Sequence, residues 1–166
     1  LFSPIKLGPL ELPNRIVIAP MCQYSAQDGF PTDWHMIHLG HLALSGAALL
    51  IIEATAVEPR GRISAKDLGV WSDAHVEGLA RVARFVEGQG AIPASQLAHA
   101  GRKGSTRAPW EGGTPVAPGE PCGWVNVAPS ALPFREGDPV PEALDEAGIA
   151  EIVGAFAAAA RRALAA

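Results

Sequence analysis

Apolar residues follow two rhythms along this chain. Short continuous runs occur in "RIVIAP" (15–20), "ALLIIEATAV" (48–57) and "AIPASQLAHA" (91–100). Runs of that length and β-branched content predict buried strands, and the second predicts one covered on both faces. Between them the apolar positions recur at helical spacing. "TDWHMIHLGHLALSG" (32–46) offers Thr32 or Asp33 as a cap, then Met36, Ile37, Leu39, Leu42 and Ala43, and a stop at Gly46. "SDAHVEGLARVARFVEGQG" (72–90) starts at Ser72 or Asp73, carries Val76, Leu79, Val82, Ala83 and Val86, and ends at Gly88 and Gly90. From Asp145 onward Ile149, Ile152, Val153 and Phe156 share one face of a third helix. Ahead of all this, Gly8-Pro9 splits two apolar stretches and predicts a hairpin over residues 1–15.

Strand–helix alternation of this kind implies a parallel sheet with right-handed crossovers. One interruption stands out, at 101–143, where prolines 109, 115, 118, 121, 129, 133, 139 and 141 cluster. Loops longer than about 15 residues are uncommon unless functional. Three βα units do not close a sheet. The chain is therefore either a small open α/β domain or the first part of a (β/α)₈ barrel, which needs about 250 residues.

Composition narrows the partners. The net charge is −4 with no basic tract, so nucleic acid and anionic membranes are excluded as expected partners. The apolar run Ala47–Ile52 is far short of the roughly 20 residues that span a bilayer. Cys22 and Cys122 have no metal-like spacing, no signal-peptide pattern opens the chain, and a reducing cytoplasm is the expected location. The start without Met and the stop inside a helical pattern read as a piece of something longer.

In parallel sheets the site forms at the carboxyl ends of the strands. Three ends are legible: Ala19 to Tyr24, Glu53 to Thr55, and Gln96 to Lys103. A thiol, a phenol, an amide and an imidazole would share one mouth. Each has a plainer explanation. A lone cysteine is most often a small buried hydrophobe, a tyrosine an amphipathic rim residue, and a strand-end glutamine a partner for backbone. His35, His38 and His41 lie near one helix face, where capping and core imidazoles are preferred over a zinc site. His75, in a first helical turn, is expected to be solvated, and His99 lies close to a strand end. No dinucleotide, P-loop or nucleophile-elbow motif is present.

"LFSPIKLGPLELPNRIVIAPMCQYSA", "EATAVEPRGRIS", "LGVWSDAHVEGLA" and "QLAHAGRKGS" together resemble the Old Yellow Enzyme family, and most its xenobiotic-reductase and thermophilic-like branch. The resemblance implies a (β/α)₈ TIM barrel. Residues 1–166 would supply its hairpin and about the first three βα units, with 101–143 as an excursion after the third strand. It also implies FMN at the carboxyl end, reduced by NADPH or NADH and passing hydride to the β-carbon of an activated alkene. By position, Ala19, Pro20, Met21, Cys22, Ala54 and Gln96 would contact FMN, and Tyr24 would bind the substrate's activating group. Cys22 would stand against the polar edge of the flavin as a weak donor that tunes it.

The family's catalytic His pair, its proton-donor tyrosine and its FMN phosphate site are expected downstream of Ala166, so no catalytic residue is assigned within this chain. The resemblance further implies small-molecule alkenes as partners and a homo-oligomer for the complete enzyme. Two readings follow: an FMN-dependent ene-reductase as the complete chain, or a catalytically inactive half-barrel as these residues alone. A flavodoxin-like domain is weaker, because Pro20 and Met21 offer no phosphate loop.

Overall fold

The computed structural model describes residues 1–166. A hairpin of β1 (Ile5–Leu7) and β2 (Leu10–Leu12) comes first. Three βα units follow: β3 (Val17–Ile18) with α1 (Asp33–Ala43), β4 (Leu49–Ala56) with α2 (Ala74–Gly88), and β6 (Ile92–Ala98) with α3 (Glu146–Ala165). All pairings in the main sheet are parallel. β4 is central, with β3 on one side (Val17↔Leu49) and β6 on the other (Leu49↔Ile92 to Ala56↔Ala98), and the short β5 (Leu68–Gly69) joins its carboxyl end. β6 has β4 on one side and no strand on the other, so the sheet is an open α/β layer of three units. No helix is long and apolar enough to cross a membrane.

The central place of β4 follows from its sequence: seven of its eight residues, LLIIEATA, are buried. β3 is shorter than the run 15–20 predicts. Pro20 has no N–H to give to a ladder, and only Val17 and Ile18 pair. Asn14 fastens the base: its Oδ1 accepts from the N–H groups of Ile16 (3.0 Å) and Ala48 (3.2 Å), and its Nδ2 donates to Gly46 (2.9 Å).

The core gathers Leu39 and Ala43 of α1, Leu50 and Ile52 of β4, Leu79, Val82 and Val86 of α2, and Ala159 of α3. α2 uses the face its spacing predicts. α1 buries Leu39 and Ala43 and packs Met36 and Leu42 against the core, as its spacing predicts; Ile37 is the exception, turned outward, while His35 takes an inward place. The cause is local. Gly40 lets Phe85 of α2 come so close that a Cβ there would sit 3.0 Å from its ring, and His35 is held inside by the polar contacts described below. On α3, Ala155, Phe156 and Ala159 meet the core, while Ile149 and Val153, two of the four residues on the predicted face, are exposed. Caps match the sequence at both ends of the chain: Thr32 precedes α1, and the Asp145 carboxylate accepts the Gly148 N–H at 2.8 Å.

His75 is a correction, because it is buried where solvation is expected. It packs between Phe30 and Trp71, with ring centroids at 4.4 and 4.6 Å. Glycines make room for this cluster: a Cβ on Gly69 would lie 1.9 Å from the Trp71 ring, and one on Gly29 2.5 Å from it.

The stretch 101–143 is held by backbone hydrogen bonds outside regular elements, with side chains bonding to the backbone among them. Its regular pieces are two 3₁₀ turns (Gly101–Lys103 and Pro109–Glu111) and the parallel pair β7 (Val127–Ala128) and β8 (Glu142–Ala143). The Ser105 hydroxyl donates to Val116 (2.8 Å) and accepts from the Trp124 N–H (3.0 Å).

Candidate active site

The carboxyl ends of β3, β4 and β6 bring the predicted residues to one end of the sheet. After β3 the chain runs on as Ala19-Pro20-Met21-Cys22-Gln23-Tyr24, and side chains of α1 and β4 tie it down. The Gln23 N–H donates to Glu53 Oε2 at 2.6 Å, and the Trp34 indole donates to the Gln23 side chain at 3.1 Å. Tyr24 has φ 49°, a left-handed conformation that costs a non-glycine residue about 1–2 kcal/mol and persists only where neighbours over-determine it.

Cys22 is half-buried. Burial first, then the negative charges of Asp67 and Glu53, push its thiol up to about 11, so at neutral pH it is a neutral S–H. Its thiol and the Tyr24 hydroxyl face each other, and burial also raises the phenol from its ordinary value. The Tyr24 ring meets Trp110 edge-on, with centroids 5.8 Å apart. Ala54 is buried, Gln96 is exposed, and both line a cavity of about 350 Å³ with Asp67, His99 and Lys103. The Gln96 amide is left without a partner in the chain's own hydrogen bonds. Ala19 and Met21 are exposed at the same end, with Pro20 half-buried between them.

A second cleft, of about 230 Å³, opens beside Tyr24 and is lined by Arg102, Lys103, Arg107 and Arg135, against one acid, Asp138. These cations are held in place. Arg102 donates to Ser130 at 3.1 Å, Arg107 to Glu120 at 3.2 Å, and Lys103 and Arg135 lie over Phe134 at 4.6 and 5.3 Å.

The histidines do not share a site. His35 turns into the core, His38 stacks on Trp34, and His41 is exposed. His99 is structural: its Nδ1 accepts the Gly101 N–H (3.0 Å), and its Nε2 donates to Glu58 Oε1 (2.8 Å). The sequence reading gave no role to Asp67. Its buried carboxylate accepts from Ile63 (2.7 Å), the Ser64 N–H (3.1 Å) and the Ser64 hydroxyl (2.8 Å); burial raises its pKa and these bonds oppose the rise. The signal available was the short spacing in "ISAKD" (63–67), a serine three residues before an aspartate, which is too common in turns to mark a site.

Similarity to characterised proteins is extensive. The family model described as "NADH:flavin oxidoreductase / NADH oxidase family" matches residues 1–166. A "NADH:flavin oxidoreductase FG08077" of Gibberella zeae is 45% identical over 166 residues, covering 98% of this chain and 40% of that protein. An "NADPH dehydrogenase" of Geobacillus thermodenitrificans is 44% identical over 165 residues, covering 98% and 44%. Among solved structures, morphinone reductase superposes with a TM-score of 0.81 at 34% identity, covering 98% of this chain and 44% of that one. Old Yellow Enzyme from Pichia sp. AKU4542 gives 0.82 at 26% identity, covering 99% and 42%. These neighbours are TIM barrels, and the chain spans 40 to 44% of the length of the relatives named here.

Proposed function

The chain belongs to the NADH:flavin oxidoreductase / NADH oxidase family, and on that premise we propose that the complete barrel is an FMN-dependent NAD(P)H oxidoreductase. Its substrates in this reading are the activated C=C bonds of α,β-unsaturated carbonyl and related xenobiotic compounds. The observation that carries the reading is the meeting of Cys22, Ala54 and the partnerless Gln96 amide at the carboxyl ends of three parallel strands, with Tyr24 beside them.

The donor set fits a flavin. A primary amide donates and accepts at once, as the pyrimidine edge requires. Ala54 adds little bulk beside that amide. Cys22, neutral at pH 7, offers a weak donor and no competing charge. FMN, when bound, supplies the hydride relay between nicotinamide and alkene. The chain's own residues hold and orient: Gln96 and Cys22 at the cofactor, Tyr24 donating from its hydroxyl to the substrate's activating group. The four cations beside Tyr24 suit the phosphates of a nicotinamide dinucleotide arriving at the same mouth. Trp110, 64% exposed and edge-on to Tyr24, suits a rim over that mouth.

Anaerobic reduction of bound flavin by NADPH and by NADH, followed by reoxidation with 2-cyclohexen-1-one, tests the reading. Flavin that binds and reduces but is not reoxidised by any enone would refute the alkene assignment.

A second reading, an inactive half-barrel formed by residues 1–166 alone, is favoured by one observation. β6 has no strand on its outer side, and an apolar groove lined by Ile52, Pro93, Ala94 and Leu164 lies open where β4 and β6 meet α2 and the end of α3. An exposed edge of this kind invites association. Residues 1–166 alone are then expected to aggregate and to retain no FMN. A monomeric yellow product with a cooperative melt would contradict that reading.

A further inference from the structure

A buried pair lies behind the segment that faces the candidate cofactor site. His35 is fully buried and Glu53 is 3% exposed. The His35 Nδ1 accepts the Thr32 N–H at 2.9 Å, so the ring proton sits on Nε2, 3.1 Å from Glu53 Oε1. That approach is bent, and the contact is electrostatic more than a linear hydrogen bond. The other carboxylate oxygen, Oε2, accepts the Gln23 N–H at 2.6 Å. A polar path thus runs from the start of α1, through an imidazole and a carboxylate, to the backbone between Cys22 and Tyr24.

Stability alone does not account for this pair. Burying a carboxylate is costly, and a well-packed apolar pair of similar volume is often as stable or more so. What an apolar pair cannot do is accept the Gln23 N–H or place a negative charge behind Cys22. Charge-assisted bonds are roughly twice as strong as neutral ones, and this one lands next to the single tyrosine of the chain, in its left-handed conformation.

We propose, on the premise of the flavin reading above, that Glu53 held by His35 is a positioning residue: it fixes the Met21–Tyr24 segment so that Tyr24 meets the substrate, and it sets a negative charge behind Cys22. Glu53 acts through its neighbours and touches neither substrate nor cofactor. The groups that face Cys22 are Asp67, Glu53 and Tyr24, and Glu53 is the carboxylate that also holds the segment's backbone.

The two roles separate by substitution in the complete barrel. Glu53→Gln removes the charge and keeps the size. Glu53→Asp keeps the charge and withdraws it from Gln23 by one methylene. Alkylation of the Cys22 peptide by iodoacetamide across pH, read by mass spectrometry, reports the thiol and needs no flavin. Enone KM with FMN bound reports the segment. The expected results are a Cys22 midpoint lower than that of wild type in Glu53→Gln, and an enone KM raised about tenfold in Glu53→Asp with FMN content unchanged. If either single variant fails to fold, the double variant His35→Leu/Glu53→Leu restores an apolar core and must show both changes. A wild-type midpoint in Glu53→Gln, a wild-type KM in Glu53→Asp, or either wild-type value in the double variant overturns the proposal. A protein that binds no FMN refutes the flavin reading instead, and the thiol midpoint still decides the charge role.

Discussion

α1 and α2 begin with the same four-residue device and use it differently. "TDWH" at 32–35 and "SDAH" at 72–75 each place a histidine three residues after the capping hydroxyl residue. In both, the histidine N–H bonds back to that residue's carbonyl, and its Nδ1 accepts that residue's N–H, at 2.9 Å from Thr32 and 3.2 Å from Ser72. The imidazole thus takes the place that Glu or Gln holds in a capping box. The free nitrogen then reaches across the fold. From His35 it meets a buried carboxylate on β4; from His75 it meets the backbone carbonyl of Asp28 at 3.2 Å, inside an aromatic cluster. The same local pattern therefore serves the mouth in one unit and the packing of the loop after β3 in the other. The distant partner, not the cap, decides which.

The largest effect is expected where that partner is charged. Glu53→Leu alone leaves His35 buried without its carboxylate and the Gln23 N–H unmade, and should cost about 3–5 kcal/mol by urea unfolding of the complete barrel. His75→Ala should cost less, about 2–3 kcal/mol, from a lost cap and lost packing, and should leave enone KM unchanged. If His75→Ala shifts KM as strongly as the Glu53 variants do, the two devices are not distinct. Gly69→Ala tests the aromatic cluster alone: a Cβ at 1.9 Å from the Trp71 ring should force it out, at about 1–3 kcal/mol, with a change in tryptophan emission.

Tyr24→Phe is expected to be smaller again, about 0.5–1.5 kcal/mol in enone binding with the flavin potential nearly unmoved. Cys22→Ala should do the reverse, shifting the potential while activity persists; its complete loss with FMN bound would indicate covalent thiol chemistry. The thiol also carries a pH signature. Its pKa is raised on folding, from 9.0 to about 11, so its contribution to stability is complete below pH 9 and is lost as pH rises toward 11. Equilibrium unfolding across that window should show the decline, and Cys22→Ala should remove that part of it.

Strand order, the three helices and the caps at Thr32 and Asp145 were legible in the sequence, because run length, 3.6-residue spacing and capping residues are local signals. The resemblance carried the site residues, and the topology brings Cys22, Tyr24, Ala54 and Gln96 to one end. What was not legible depends on long-range partners. Ile37 counts as core by spacing, yet it is exposed, while His35, held by Glu53, and Gly40, fitted to Phe85, take inward places beside the expected Leu39 and Ala43. His75 looks solvated in a first turn, and only Trp71, Phe30 and two glycines explain its burial. Trp110 and Trp124 look alike in the same proline-rich stretch. Trp124 instead donates its indole N–H to Arg60 at 3.0 Å and packs on Arg62, while Trp110 stands at the mouth. Glu53 was noticed only as part of a strand end, since nothing in its neighbourhood names a histidine 18 positions earlier.

The claim on which the rest depends is that the ends of β3, β4 and β6 hold FMN, and Gln96 tests it most directly because its amide makes no hydrogen bond within the chain. The FMN dissociation constant of the complete barrel should be measured for wild type and for Gln96→Leu. The account predicts weaker binding by about 1–3 kcal/mol, since the flavin's pyrimidine edge would lose its paired amide. An unchanged dissociation constant would contradict it and move the cofactor away from these strands.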